Sequence, residues 1–195
     1  MSISTRRTFI AINLDSEIKD YLNKIQKEIC QFGNSFDLKA KFVEKDNLHI
    51  SLKFLGDLND VQIEKAISLL QKVSAESQHF LITLAKNIGS FPYFTRPRVI
   101  WAGIEKGSGL ISRLYFSIEK NMKSEVFYRS ENRFTAHITL ARIKYIGYPK
   151  RLKDFIDNIA IESIPQQVRK IELMESQLSK EGPKYHVISS FSFLP

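Results

Sequence analysis

Two histidines sit in the same four-residue phrase, His49-Ile50-Ser51-Leu52 and His137-Ile138-Thr139-Leu140. The β-branched, apolar neighbours of each predict a strand, and residues two apart on a strand share a face. His49 therefore projects with Ser51 and His137 with Thr139, imidazole and hydroxyl about 7 Å apart along the strand. Leu48, Ile50, Leu52 and Phe54 are expected on the buried face of the first strand, Ile138 and Leu140 on that of the second. If the two strands face each other, two imidazoles and two hydroxyls converge on one groove. Such a set suits chemistry at a phosphate diester. An ordinary imidazole pKa of about 6.5 lets one ring stay neutral and take a proton while the other, charged, gives one. The hydroxyls can bind the non-bridging oxygens and hold the phosphorus between the rings. A single His-x-Ser phrase is usually structural; the matched second copy is what points to a two-histidine site.

The elements that must position these residues can be read along the chain. "RTFIAINL" is a strand, and Ile18, Leu22, Ile25, Ile29 and Phe32 then keep a helical spacing. "NLHISLKFL" is a strand ending at Gly56. Asn59 and Gln62 form a capping box for a helix with Ile63, Ala66, Ile67, Leu70 and Val73 inward. "FLITLA" and "RVIWAGI" are strands flanking the turn-prone "GSFPYFTRP", with Trp101 expected in the core. "GSGLISRLYFSIEKNM" is a helix, "FTAHITLARI" a strand, and Pro149 opens a further helix. "KIELMESQL" and "KYHVISSFSFL" close the chain as a hairpin around "SKEGPK". Strands outnumber helices in mixed order, which predicts an α+β fold with antiparallel sheets. The similar contexts of the two phrases suggest two related halves.

At 195 residues the chain is expected to be one domain, 1–195, without a linker or low-complexity tract. Cys30 is the sole cysteine, which excludes a disulfide framework and favours a reducing compartment. The apolar start of the chain is too short and polar for a leader, and no stretch approaches a membrane span. A soluble, cytoplasmic protein is expected. A net charge of +8 favours a polyanionic partner, although the lysines are scattered. No phosphate-cradling P-loop occurs, since "EKGSGL" lacks the lysine-hydroxyl ending, and no histidine pair has ligand spacing. No metal and no cofactor are expected.

The paired phrases, with "RTFIAINL", "RVIWAGI" and "ESQLSKEGPKYHVI" around them, resemble the 2H phosphoesterase family. Within it they are similar to the bacterial and archaeal RNA 2′,3′-cyclic phosphodiesterases, also called 2′-5′ RNA ligases. The resemblance implies a bilobal fold with pseudo-twofold symmetry around a central cleft. It implies His49 as proton donor and His137 as proton acceptor, hydrolysing an RNA 2′,3′-cyclic phosphate to a 2′-phosphate, with ATP-independent 2′-5′ ligation as a second outcome. RNA ends with a cyclic phosphate, tRNA fragments among them, are the partners it implies for a monomeric enzyme away from membranes. Ser51 stands where the family more often has threonine, and Ala136 where a proline commonly precedes the histidine. Ser51, Thr139 and Arg142 are the expected phosphate ligands. Strict alternation turns Arg142 away from His137 unless a bulge intervenes, and it puts Lys53 on the His49 face, as a surface lysine first and a second candidate for charge stabilisation next. Phe134 and Tyr185 can stack a base or pack the core. His79 is read as a surface or capping residue, and His186 as an alternating residue of the last strand, with contact to substrate as its lesser reading. Two readings stay beside the favoured one: an enzyme for a small cyclic phosphate, such as a nucleotide or an ADP-ribose product, and a non-catalytic RNA-binding module.

Overall fold

The computed structural model describes residues 4–123, 127, 134–179 and 182–195. Strand β1 (Arg6–Asn13) leads into helix α1 (Ser16–Phe32), then β2 (Leu38–Phe42), β3 (His49–Leu58) and α2 (Asp60–Ala75). Next come β4 (Phe80–Phe91), β5 (Val99–Ile104), α3 (Ser108–Asn121), β6 (His137–Ile146) and α4 (Pro149–Asp157). β7 (Pro165–Val168), β8 (Lys170–Leu178) and β9 (Pro183–Ser192) complete the order. Every strand pairing is antiparallel. The sheet runs β7-β4-β5-β6-β3-β1-β8-β9, with β2 added on β6.

That order is symmetric about the junction of β6 and β3. Four strands lie on each side, and the two central ones carry the histidine phrases. One pair joins them, Ile50 opposite Ile138. Beyond it the strands part, and β2 takes the edge that β6 loses, from Leu38 opposite Ile146 to Phe42 opposite Ala141. The fold is thus α+β, with two related antiparallel halves around a cleft.

The helices form by the predicted rules. α2 starts at a closed capping box: the Asn59 side chain accepts from Gln62 N–H, and the Gln62 side chain accepts from Asn59 N–H, each at 2.9 Å. α1 buries Ile18, Leu22, Ile25 and Ile29 but also Gln26, while Phe32 stays largely outside against Phe155. α1 reaches across to β6 and α3 across to β3, so each half's first helix braces the other half's histidine strand. The core between helices and sheet contains Ile10, Ile12, Leu22, Ile50, Ile138 and Leu140, all at or near zero exposure. β2 and β7 escaped the sequence reading. β2, "LKAKF", is short and rich in lysine, and β7, "PQQV", is four residues carried by its pairing with β4.

Candidate active site

The single Ile50–Ile138 pair fixes the site. Continuing the antiparallel register, His49 lies across from Thr139 and Ser51 across from His137, so the two phrases are diagonal images of each other. Each strand then carries a bulge at the same place. Between β1 and β3, Ala11 pairs with Ser51 and Ile10 with Lys53, leaving Leu52 extra. Between β5 and β6, Trp101 pairs with Thr139 and Ile100 with Ala141, leaving Leu140 extra. An extra residue reverses which face follows it. From His49 and from His137 the next seven residues repeat the same sequence of half-buried, buried and exposed positions.

The bulges correct two expectations. Lys53 is not on the His49 face; it is buried on the core side, 2.6 Å from Glu119 of α3. Phe54 is not in the core; it is 57% exposed and lines the cleft. The bulge that was the condition for Arg142 is present, and Arg142 lies on the cleft wall with Thr139. Gly56, expected as the end of the strand, lies inside it with φ +81°.

A cavity of about 460 Å³ opens at the fork between β3 and β6, within the range of small-ligand sites. His49, Ser51, Thr139, Arg142 and Tyr185 line it, joined by Arg7, Lys41 and Phe54, while His137 is not among its lining residues. Its positive residues outnumber its one acidic residue, Glu44. Both imidazoles are held by their own approach segments. His49 Nδ1–H donates to Asn47 O at 2.7 Å, and His137 Nδ1–H donates to Thr135 O at 2.7 Å. Because a carbonyl only accepts, the proton of each neutral ring sits on Nδ1 and Nε2 keeps the free lone pair. His49 Nε2 accepts from Ser51 Oγ–H at 2.8 Å.

Both rings are wrapped in aromatics, differently in each half. His49 sits 5.1 Å from Phe9 and edge-on to Tyr185 at 5.4 Å. His137 sits edge-on to Phe91 at 5.0 Å and to Trp101 at 6.1 Å. Trp101, expected in the core, instead stacks on Phe91 on the cleft face, over Gly89, where a Cβ would stand 2.1 Å from the indole. Phe134 lies off the cavity wall and stacks on Tyr115 with ring centres 4.2 Å apart. His186 is exposed on β9, opposite Glu175 of β8. His79 donates its backbone N–H to Leu194 O, away from the cleft.

Burial is the main influence on both rings. It pushes His49 down to about 4, helped by the positive charges of Lys19, His137 and Arg142, against the hydrogen bond to Asn47. Burial also lowers His137, with Arg142 adding to it and the Thr135 carbonyl opposing it. Burial raises the Tyr185 hydroxyl, while Arg142 and Arg7 oppose that rise. Arg142, on the cavity wall, thus opposes a positive charge on either imidazole and favours a negative one on Tyr185. No cluster of three or more His, Cys, Asp or Glu suited to a metal ion occurs among the described residues. Nor is any helix among them long and apolar enough to cross a membrane.

Fold and twinned phrase together are those of the 2H phosphoesterases. The sequence pattern of the AKAP7 2′5′ RNA ligase-like domain matches residues 8–193, and the chain belongs to that family. It is 32% identical to the RNA 2′,3′-cyclic phosphodiesterase of Aquifex aeolicus, over 95% of this chain and 96% of that one. It is also 32% identical to the protein of the same name from Methanocaldococcus jannaschii, over 95% and 99%. Among solved structures, TT0787 of Thermus thermophilus superposes with a TM-score of 0.80 at 25% identity, covering 96% of this chain and 97% of that one. Escherichia coli LigT complexed with 3′-AMP shares the fold, with a TM-score of 0.71 at 21% identity over 97% and 98%.

Proposed function

We propose that the protein is an RNA 2′,3′-cyclic phosphodiesterase that leaves a 2′-phosphate. The observation that carries this reading is the diagonal pairing of the two phrases, with Nε2 of each ring as its working nitrogen and Arg142 acting on both. The relatives that bear this activity's name match nearly the whole chain. In this reading the cyclic phosphate enters beside Arg142, with its non-bridging oxygens toward Ser51, Thr139 and the guanidinium. His137 takes a proton from water, whose oxygen attacks phosphorus. The bond from phosphorus to the 3′ oxygen breaks, and His49 gives that oxygen its proton. Chemistry by proton transfer and positioning needs no metal. With an RNA 5′-hydroxyl in place of water, the same groups make a 2′-5′ linkage, the energy coming from the cyclic ester rather than ATP.

The free site is built for a neutral His49, whereas a proton donor must be charged. Arg142 and His137 are among the groups that hold the His49 pKa down. A bound phosphate anion offsets those charges and favours the imidazolium. Burial, the main cause of the low value, still opposes that charge, so the anion shifts His49 only part of the way. A terminal nucleotide fits the cavity, and the net charge of +8 suits the rest of an RNA chain. We place its work in the cytoplasm on RNA ends, tRNA fragments among them, and in a single subunit because one chain supplies the whole site.

Phe134 is assigned no role beyond its stack on Tyr115, and Tyr185 is the aromatic beside the incoming nucleotide. In the test, purified protein is given oligonucleotides and mononucleotides with 2′,3′-cyclic phosphates in the presence of EDTA. The 2′-phosphate should appear, faster from the oligonucleotide. Turnover of mononucleotides alone would transfer the assignment to a small cyclic phosphate. Roles are separated by a substrate with sulfur at the 3′ leaving position, which departs without a proton. It should restore His49→Ala and not His137→Ala; the opposite result would exchange donor and acceptor.

A further inference from the structure

Gln26 is a buried polar residue on the apolar face of α1, 3% exposed among Leu22, Ile25 and Ile29. Its Nε2 donates to Leu140 O and to Val43 O, each at 2.8 Å. Leu140 is the extra residue of the β6 bulge, and its carbonyl also accepts from Val43 N–H at 2.9 Å. One amide group thus ties the bulge to the segment where β2 leaves β6. Its own Oε1 is buried without a partner among the described residues. An orphaned buried acceptor costs stability, so packing alone does not account for a glutamine here.

The other half repeats the device with different chemistry. Glu119 occupies the same turn of α3 that Gln26 occupies in α1, and it holds Lys53, the residue that the β3 bulge turns into the core. Each helix grips the bulge of the opposite half. Directly after each bulge comes a cleft residue: Arg142 on β6, Phe54 on β3.

We propose that Gln26 and Glu119 are twin positioning residues: they hold the two bulges, and through them aim Arg142 at the phosphate and Phe54 at the nucleotide. This rests on the phosphodiesterase reading for its substrate, but not for its geometry. The bulge is an alternative register that a strand can lose, and losing it would turn Arg142 out of the cleft.

Gln26→Met keeps shape and packing but removes both donated hydrogen bonds. It should lower kcat/KM about tenfold, mostly in kcat, and weaken inorganic phosphate binding several-fold, with the thermal midpoint no lower than in wild type. Combined with Arg142→Ala it should add almost nothing further, because its effect runs through Arg142. An additive loss in the double variant would overturn the proposal, as would phosphate affinity unchanged in Gln26→Met. On the β3 side, Lys53→Met with Glu119→Leu replaces the ion pair by apolar groups and should raise KM for nucleotide substrates while phosphate affinity holds. Unchanged KM there would remove Glu119 from the proposal. If wild type opens no cyclic phosphate, the functional reading fails, and phosphate binding still decides whether Gln26 positions Arg142.

Discussion

The β3 half and the β6 half of the cleft start from the same phrase and end with different chemistry. Up to the bulge they match: imidazole anchored to the carbonyl two residues back, hydroxyl on the same face, buried aliphatics between, one extra leucine. Past the bulge they divide. β6 delivers a guanidinium and β3 a phenyl ring to equivalent places, and the position before them is a small Ala141 on one strand and the ion-paired Lys53 on the other. On the proposed mechanism, the shared part serves what is symmetric in the reaction, a proton on each side of phosphorus. The divergent part then serves what is not: a phosphate carries its charge on one side and its nucleoside on the other. In that reading symmetry supplies the acid–base pair, and its breaking supplies orientation.

Removing either half of the shared part should cost most. His49→Ala and His137→Ala are each expected to lower kcat/KM by about 10² to 10⁴, measured on a cyclic-phosphate oligonucleotide. A near-normal rate in either would make the site one-sided and break the comparison. The divergent part should follow with smaller, separable losses. Arg142→Ala removes a positioned charge and should lower kcat by roughly 10². Arg142→Lys should recover only part of this, because an ammonium lacks the planar fork. Phe54→Ala should instead raise KM, by about tenfold, as expected for one base–aromatic stack. On methyl riboside 2,3-cyclic phosphate, which has no base, the Phe54 effect should disappear; if it persists, Phe54 is a wall and not a platform.

Much of this was legible in the sequence, and the misses share a cause. The strands other than β2 and β7, the capping box and the inward faces of three helices follow from periodicity and cap chemistry, which are local. Arg142, Lys53 and Phe54 depend on where alternation breaks, and strict alternation misplaces all three; Arg142 fits the cleft only on the condition of a bulge. The signal was present: Leu52 to Leu55 and Leu140 to Ile143 put buried aliphatics three apart, a spacing no regular strand gives. Trp101 could not be placed because its face depends on Gly89, on a strand paired only through the fold. Gln26 was passed over because a polar residue beside an apolar stripe looks like its edge; its targets are carbonyls 17 and 114 residues away.

The last expected effect concerns stability rather than rate and follows from the depressed His49. Its folded pKa of about 4 lies below the ordinary 6.5 of the unfolded chain. Between those values the unfolded chain binds a proton that the folded one refuses, so stability is full above the upper value and falls as pH drops toward the lower. The loss from this ring is about 3 kcal/mol at most, less what solvent screening removes. His137 adds a contribution of the same sign. The fall in stability from pH 7 to pH 4.5, measured by urea unfolding, should therefore be steeper in wild type than in His49→Gln, which carries no titrating ring at that position. Sulfate, a dianion at every pH of this range, should oppose the trend. An anion between Arg142 and the imidazoles favours their charged forms, so binding takes up protons, and sulfate should stabilise the protein more at pH 5 than at pH 7. Equal stabilisation at both would mean that the anion does not reach the histidines. The two halves would then share a phrase without sharing a substrate.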